Sequence, residues 1–193
     1  MIDVSDTWTM SFDDAPQRLE LDLDPSSAFV ARVVITAPVS STGVARELVL
    51  VASGSEDRAV RTMDGRLLWC HTHRDGVGGR SFASAGPVHP GGLIPRDHGG
   101  EALALSDGRH LLDWLCPSSY VFEATDTIHG QSPYGSFTAT VDPDHRFVSE
   151  LRVSELGGSP LARLSAWKVV PREERWFSGQ QDAPWFIGLA DGR

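Results

Sequence analysis

The chain has 193 residues, of which 40% are hydrophobic and 22% charged, so it is long and apolar enough to fold as one domain around a substantial core. Its formal net charge of −9 argues against nucleic acids and anionic membranes as partners, because a phosphate surface requires a basic face to neutralise it. No apolar run reaches the roughly 18 residues of a membrane-spanning segment.

Cysteine and lysine usage indicate the setting of the protein. The two cysteines imply no disulfide framework, and the acidic first residues lack the basic and apolar regions of a signal peptide. We therefore expect a cytoplasmic protein. Lys168 is the only lysine among the 17 basic residues, and this preference for arginine favours a GC-rich bacterial source.

Strand patterns dominate the chain. Arg18–Leu23 alternates apolar and charged residues with a period of two, which is typical of a strand with one solvated face. Ala28–Thr36 and Glu47–Val51 are β-branched and almost continuously apolar, which predicts strands buried on both faces. We predict further strands, the last two forming a hairpin across residues 157–160, at Ala102–Leu105, Ser136–Val141, Arg146–Val153 and Leu161–Val170.

Helix signals are few. His110–Leu115 is predicted to form one helical turn, and Pro171–Trp176 would open a short helix with proline at its first position. These elements predict one all-β domain spanning residues 1–193, an antiparallel β-barrel or β-sandwich with short helices at its edges.

The segment from His71 to Gly100 interrupts the strand pattern. It contains eight glycines, three prolines and four of the seven histidines. Loops of this length within a compact domain are usually functional or disordered, so the segment is either a rim over a site or a surface loop. Two short strands around Arg80–Ala83 and Gly92–Ile94 would shorten it.

One stretch is similar to a repeat family. Residues 51–61 resemble one hairpin of a WD40 propeller blade, with Met63-Asp64 where that family carries its Trp-Asp pair. A weaker resemblance to the same blade pattern runs from His129-Gly130 to Trp167-Lys168. The resemblance covers less than a third of the chain, and no period of about 40 to 45 residues recurs. It implies a partial β-propeller as an alternative fold and an interaction module as an alternative function.

The sequence His71-Thr72-His73 is the best candidate for a metal site. Residues two apart on a strand point to the same side, so both imidazoles can face one interior. Gly65, five residues and then His-x-His resemble the start of the first cupin motif, which implies a divalent metal. The chain departs from that motif where cupins carry a glutamate. Asp75 is the nearest carboxylate, and His89 or His98 would complete the ligand set.

Other catalytic patterns are weak. Asp97 and His98 place a carboxylate beside an imidazole, as in a general base with its orienting partner, or they belong to a polar turn. Cys70 lies in an apolar run and is expected to be a buried, inert thiol. The chain has no nucleophile elbow, phosphate-binding loop or dinucleotide fingerprint, so nucleotide-dependent catalysis is not expected.

Aromatic residues form the second lead. Six tryptophans are many for this length, and Trp167, within a clear strand pattern, is predicted to be a core residue. The cluster near the C-terminus either lines an apolar pocket or closes one end of a barrel. The predicted substrate-binding residues are Trp69, Trp114, Trp176, Trp185, Phe186 and His98.

Three functions of different classes follow from these patterns. The leading hypothesis is a small-molecule-binding β-barrel without a cofactor, acting as a cyclase or isomerase that encloses its substrate in an apolar pocket. The second is a cupin-like metal enzyme that uses His71, His73 and Asp75. The third is a non-catalytic interaction module whose acidic N-terminal face, with seven carboxylates and one arginine in the first 25 residues, binds a basic partner.

Overall fold

In a computed structural model the chain forms one ten-stranded antiparallel sheet. The structure describes residues 19–36, 46–54, 57–71, 82–83, 99–123, 126–154 and 160–177. The strands are β1 Ser27–Ile35, β2 Arg46–Ser53, β3 Asp57–Thr62, β4 Leu67–His71, β5 Phe82–Ala83, β6 Ser119–Glu123, β7 Thr127–Ser132, β8 Gly135–Val141, β9 Val148–Val153 and β10 Pro160–Pro171.

The sheet consists of two meanders, β1–β5 and β6–β10, which are joined by pairing between β1 and β10. Its order is β5-β4-β3-β2-β1-β10-β9-β8-β7-β6, so β1 of the first meander pairs with β10 of the second. Over the described residues β5 and β6 are the two end strands, and the sheet is open between them. The predicted all-β antiparallel class with short helices is confirmed.

In the described part of the chain, two α-helices lie between the meanders in sequence and pack on one face of the sheet, here called the inner face. Helix α1 spans Gly100–Ala104, and helix α2 spans Gly108–Leu115. Both contribute to a core that also contains Phe29, Leu50 and Leu151, from both meanders. Gly99, with a φ of 91°, permits close packing of α1, because a Cβ there would lie 2.7 Å from Val60.

The opposite, outer face of the sheet is covered in its middle by a 3₁₀ helix at Glu174–Phe177. Trp176 and Phe177 are buried against the valines and alanines of the central strands. The buried guanidinium of Arg61 donates to the carbonyl oxygen of Trp176 at 3.0 Å, and this bond ties the 3₁₀ helix to β3.

The predicted buried strands are confirmed. Ala28–Thr36 corresponds to β1 and Glu47–Val51 to β2. Residues 28–31 and 48–53 are buried on both faces, whereas Arg32 and Val34 in the second half of β1 are half-buried. Ser136–Val141 corresponds to β8, and the predicted C-terminal hairpin corresponds to β9 and β10, which pair antiparallel. His110–Leu115 lies within α2, and Arg80–Ala83 overlaps β5.

Two strand predictions are wrong. Ala102–Leu105 lies in and just after helix α1, because its alanines, leucines and the preceding glutamate are strong helix formers in a fully buried position. The described part of Arg18–Leu23 makes no strand pairs, although Leu19 and Leu21 are buried. Strand β1 already has a neighbour on each side, so the segment before it finds no free edge there.

The predictions for Pro171–Trp176 and Trp167 are also corrected. Strand β10 continues through Pro171, and the helical turn begins only at Glu174. Trp167 is 43% exposed and is not a core residue. The cause is the departure of β9 from β10, since their pairing ends at Arg163 and Glu150, before Trp167 is reached.

The propeller alternative does not fit the topology. The hairpin that resembles a WD40 blade exists as β2 and β3, with Ser53 opposite Asp57. These strands belong to one continuous ten-stranded sheet, however, and a propeller consists of separate four-stranded blades.

Candidate functional site

The start of helix α2 carries a hydrogen-bonded aspartate–histidine pair. Asp107 has extended backbone and serves as the N-cap, where its carboxylate accepts a hydrogen bond from the backbone N–H of His110 at 2.9 Å. The same oxygen, Oδ1, lies 2.9 Å from Nδ1 of the His110 ring. The cap therefore also fixes the orientation of the imidazole.

The second oxygen of Asp107 binds a buried arginine. Oδ2 lies 2.6 Å from the guanidinium of Arg58, and both side chains are almost completely inaccessible to solvent. Arg58 also donates to the carbonyl oxygens of Gly54 at 3.0 Å and Asp57 at 2.9 Å. Arg58 of β3 thus binds one carboxylate oxygen of Asp107, while His110 binds the other.

The electrostatics of this arrangement assign the protons. Burial by itself would raise the pKa of Asp107, but the hydrogen bond from His110 and the positive charge of Arg58 outweigh burial and hold that pKa below its ordinary range. An ionised carboxylate only accepts, so Nδ1 of His110 carries the hydrogen. When the ring is neutral, Nε2 carries the lone pair, and the side chain is 21% exposed.

Aromatic side chains lie beside the histidine. Trp114 follows His110 by four residues on α2, so the two side chains are neighbours on the helix surface. The Trp114 ring stacks on Tyr134, from the turn between β7 and β8, with 5.7 Å between ring centroids and 22° between planes. Tyr120 and Phe122 of β6 are half-buried on the same inner core. We call His110, Trp114, Tyr134, Tyr120 and Phe122 the α2 aromatic site.

A glycine of β7 leaves room for this packing. Gly130 lies between Tyr120 of β6 and Phe137 of β8 in the sheet register. A Cβ at Gly130 would collide with the Phe137 ring and with the Ser119 carbonyl oxygen. The absence of a side chain lets Phe137 lie flat over the strand beside Tyr120.

The chain repeats the aspartate–histidine arrangement at a second place. Asp142 accepts hydrogen bonds from the backbone N–H of His145 at 2.8 Å and lies 3.1 Å from its Nδ1. The His145 ring is 5.5 Å from Trp167 in an edge-on orientation, and the Phe147 ring is 4.9 Å from the same indole. This second cluster lies beside the part of β10 that no longer pairs with β9.

The structure does not bring the predicted tryptophans together. Trp69 and Trp114 are buried in the inner core, whereas Trp176 is buried on the outer face of the sheet. Trp114 stacks on the half-buried Tyr134, and Trp69 stacks on the half-buried His71. Trp185, Phe186 and His98 lie outside the described residues.

The predicted metal ligands are described only in part. His71 is the last residue of β4, and its ring stacks beside Trp69 at 6.2 Å, as expected for residues two apart on a strand. Within the described segments no three His, Cys, Asp or Glu side chains are placed so that they could hold a metal ion. His73, Asp75, His89 and the Asp97–His98 pair lie outside those segments, so the metal site stays a prediction.

The Asp107–His110 pair was not predicted from the sequence. A detectable signal was present, since an aspartate three residues before a histidine at the start of a helical pattern is an N-cap in position to bind the imidazole. The contribution of Arg58, 49 residues away, had no local signal.

Comparison of the chain with protein-family models, curated proteins and solved structures found no match. None of the helices in the described part of the chain is long and apolar enough to cross a membrane. The proposals below are therefore argued from the geometry of the described residues.

Proposed function

We propose that the protein binds a small, flat, apolar molecule that carries one hydrogen-bonding group at the α2 aromatic site. The observation that carries the proposal is the position of His110 one helical turn from the Trp114–Tyr134 stack. Small-molecule sites combine mostly aromatic and aliphatic walls with a few polar groups in fixed orientations. The aromatic rings would supply the wall, and Nε2 of His110 would supply the fixed polar group.

The support for a fixed polar group is the network behind the histidine. Asp107 holds Nδ1 and is itself held by Arg58, so the imidazole is oriented before any ligand arrives. A preoriented acceptor loses little conformational entropy on binding, which strengthens the complex. Tyr134 and Tyr120 are half-buried against the inner core, and their rings would extend the apolar wall.

The proposal includes proton transfer as its catalytic form. A histidine whose Nδ1–H is bound by a buried carboxylate is a general base with its orienting partner. A cofactor-independent isomerase needs such a group beside an apolar wall that holds the substrate in one conformation. For a substrate of this site, His110→Phe is expected to lower kcat by about 10²- to 10⁴-fold while KM changes little.

The binding test uses naphthalene and 2-naphthol as matched probes, titrated into the full chain and followed by fluorescence or calorimetry. We expect saturable 1:1 binding of both, with 2-naphthol bound up to about tenfold more tightly, since one hydrogen bond contributes about 0.5–1.5 kcal/mol. Tyr134→Ala should weaken binding of both probes, because it removes the ring that stacks on Trp114.

The control variants separate the two components of the site. His110→Phe keeps a ring but removes the nitrogen, so it should abolish the preference for 2-naphthol while naphthalene still binds. Trp167→Ala removes an exposed indole far along the sheet in β10 and should leave both affinities unchanged. Equal affinities of the two probes for the unmodified chain would contradict the role of His110, and failure of Tyr134→Ala to weaken binding would contradict the location.

The cellular setting and the source of the protein also belong to this proposal. A cytoplasmic location, a bacterial source and the lack of a nucleic-acid partner rest on the composition and charge of the chain. A cupin-like metal enzyme remains the alternative, which metal analysis of the purified protein would decide.

A further inference from the structure

Within the described part of the chain, the C-terminal half of β10 has an open edge. Strand β10 pairs with β1 along almost its whole length, whereas its pairing with β9 covers only residues 160–163. Strand β9 begins at Val148, whose backbone N–H donates to the carbonyl oxygen of Leu105, at the end of α1, at 3.1 Å. Among the described residues, nothing pairs with the β9 side of β10 beyond Arg163.

The register shows which backbone groups face this edge. The backbone N–H of Arg172 donates to Ser26, the residue next to the start of β1. Hydrogen-bonded and non-bonded pairs alternate in an antiparallel ladder, so Val170 and Lys168 also direct their N–H and C=O groups toward β1. Trp167 and Val169 therefore direct theirs to the open side. The backbone of Pro171 faces the same open side, so its missing N–H removes no hydrogen bond between β10 and β1.

The side chains at this edge are apolar and exposed. Trp167 is 43% exposed and Val169 is 38% exposed, and these are two of the three exposed large hydrophobic residues in the described part of the chain. A long strand edge that displays apolar side chains is a template for another strand. Natural proteins block such edges unless they use them.

The surroundings of Trp167 are acidic. His145, whose ring touches the indole, accepts through its carbonyl oxygen a hydrogen bond from the backbone of Asp22 and is bound to Asp142. The Asp142 carboxylate also accepts the backbone N–H of Asp144 in the same turn, and Arg146 lies 3.8 Å from Asp22. Asp22, Asp142 and Asp144 thus place three carboxylates near this edge against two cations, Arg146 and Lys168, the latter on the opposite face of β10, and this balance favours a basic partner.

We propose that the open edge of β10 binds an extended, basic segment of a partner protein by adding it as a further strand. The partner's backbone would pair with the outward N–H and C=O groups of Trp167 and Val169. Its lysine or arginine side chains would lie against the acidic turn and over the face of the Trp167 indole, which attracts cations. This site is separate from the α2 aromatic site and does not depend on it.

The test uses a capped peptide of alternating lysine and valine, titrated into the full chain, with an alternating glutamate–valine peptide as its charge control. The basic peptide should bind, with an affinity that falls as salt rises, and the acidic peptide should not. A basic peptide with proline at its central position should bind at least tenfold more weakly, because it cannot continue the ladder.

Two variants test the edge itself. Val169→Pro removes an N–H that faces away from β1, so the fold should be retained while peptide binding falls by at least tenfold. Trp167→Ala should weaken binding and reduce the preference for the basic peptide. Circular dichroism and thermal unfolding of each variant check that the sheet is intact. Lys168→Arg, which keeps the charge on the opposite face of the same strand, is the matched control.

Three results would overturn the proposal. Undiminished peptide binding by a folded Val169→Pro variant would show that the edge is not used. Equal binding of the acidic peptide would exclude the charge argument. A chain that sediments as a dimer and becomes monomeric in Val169→Pro would assign the edge to a second copy of the protein instead of a basic partner.

Discussion

Asp107 and His110 are joined twice, through the backbone N–H and through the ring Nδ1 of the histidine, both at 2.9 Å from the same carboxylate oxygen. One residue therefore ends the loop before α2, starts the helix and fixes the imidazole. This combination makes the start of α2 a rigid support for chemistry, and it also makes Asp107 important for folding.

The buried pair of Arg58 and Asp107 should dominate stability. Arg58→Met leaves the carboxylate buried without its cation, and we expect the free energy of unfolding to fall by about 3–5 kcal/mol. Arg32→Met removes an arginine from a largely exposed pair with Glu47 and should cost about 1 kcal/mol or less. Urea unfolding followed by circular dichroism measures both, and similar losses for the two variants would contradict the assignment.

Stability should fall in acid because of the same carboxyl. Its pKa is lowered in the folded state, because the bond from His110 and the charge of Arg58 outweigh burial, so the folded protein resists protonation of Asp107 more than the unfolded chain does. The stabilisation is complete above the unfolded pKa of about 3.9 and is lost as the pH falls below it. Urea unfolding between pH 3 and pH 7 should therefore show a steeper acid decline for the native chain than for Asp107→Asn. Parallel profiles would contradict this account.

The two thiols should differ strongly in reactivity. Burial raises the pKa of Cys70 to about 12, and its Sγ–H donates to the carbonyl oxygen of Phe177 at 3.0 Å. Cys116 is exposed at the end of α2. Ellman's reagent should label one thiol quickly in the folded chain and the second only on unfolding. In Cys116→Ser the fast phase should disappear, and its persistence would show that Cys70 is accessible.

Gly130 should tolerate no side chain. Gly130→Ala places a methyl group against the Phe137 ring and the rigid Ser119 carbonyl, and overpacking of this kind costs about 1–3 kcal/mol. Gly54→Asn is the control, since that position has open space and a φ of 54° that asparagine accepts. Thermal unfolding should show a clear loss for the first variant and little change for the second. Equal effects would mean that Phe137 can move aside.

The sequence predicted the central strands well and the site poorly, for different physical reasons. Residues 28–31 of β1 and 48–53 of β2 are buried on both faces, so the apolar runs there are nearly continuous and easily recognised. Strand β7 carries one fully buried side chain, Ile128, among polar residues and glycine, and it was missed. Its place in the sheet depends on pairing with β6 and β8, which no local pattern records.

The site was missed because its parts come from distant positions. The helix of Trp114 is predicted from the sequence, yet its stacking partner Tyr134 lies in a turn 20 residues later. Arg58, which binds Asp107, comes from β3 in the first meander. Trp167 was placed in the core because it lies in an apolar strand, and only the separation of β9 from β10 exposes it. Contacts of this kind depend on the tertiary fold.

The central claim is that a small apolar molecule binds against His110, Trp114 and Tyr134. The most direct measurement is a titration of the ¹⁵N-labelled chain with 2-naphthol, followed through the imidazole nitrogens of His110 and the indole N–H of Trp114. The account predicts saturable shifts at both residues, with Nε2 of His110 moving more than Nδ1, which is held by Asp107. Saturable shifts confined to other parts of the chain, or none at all, would contradict it.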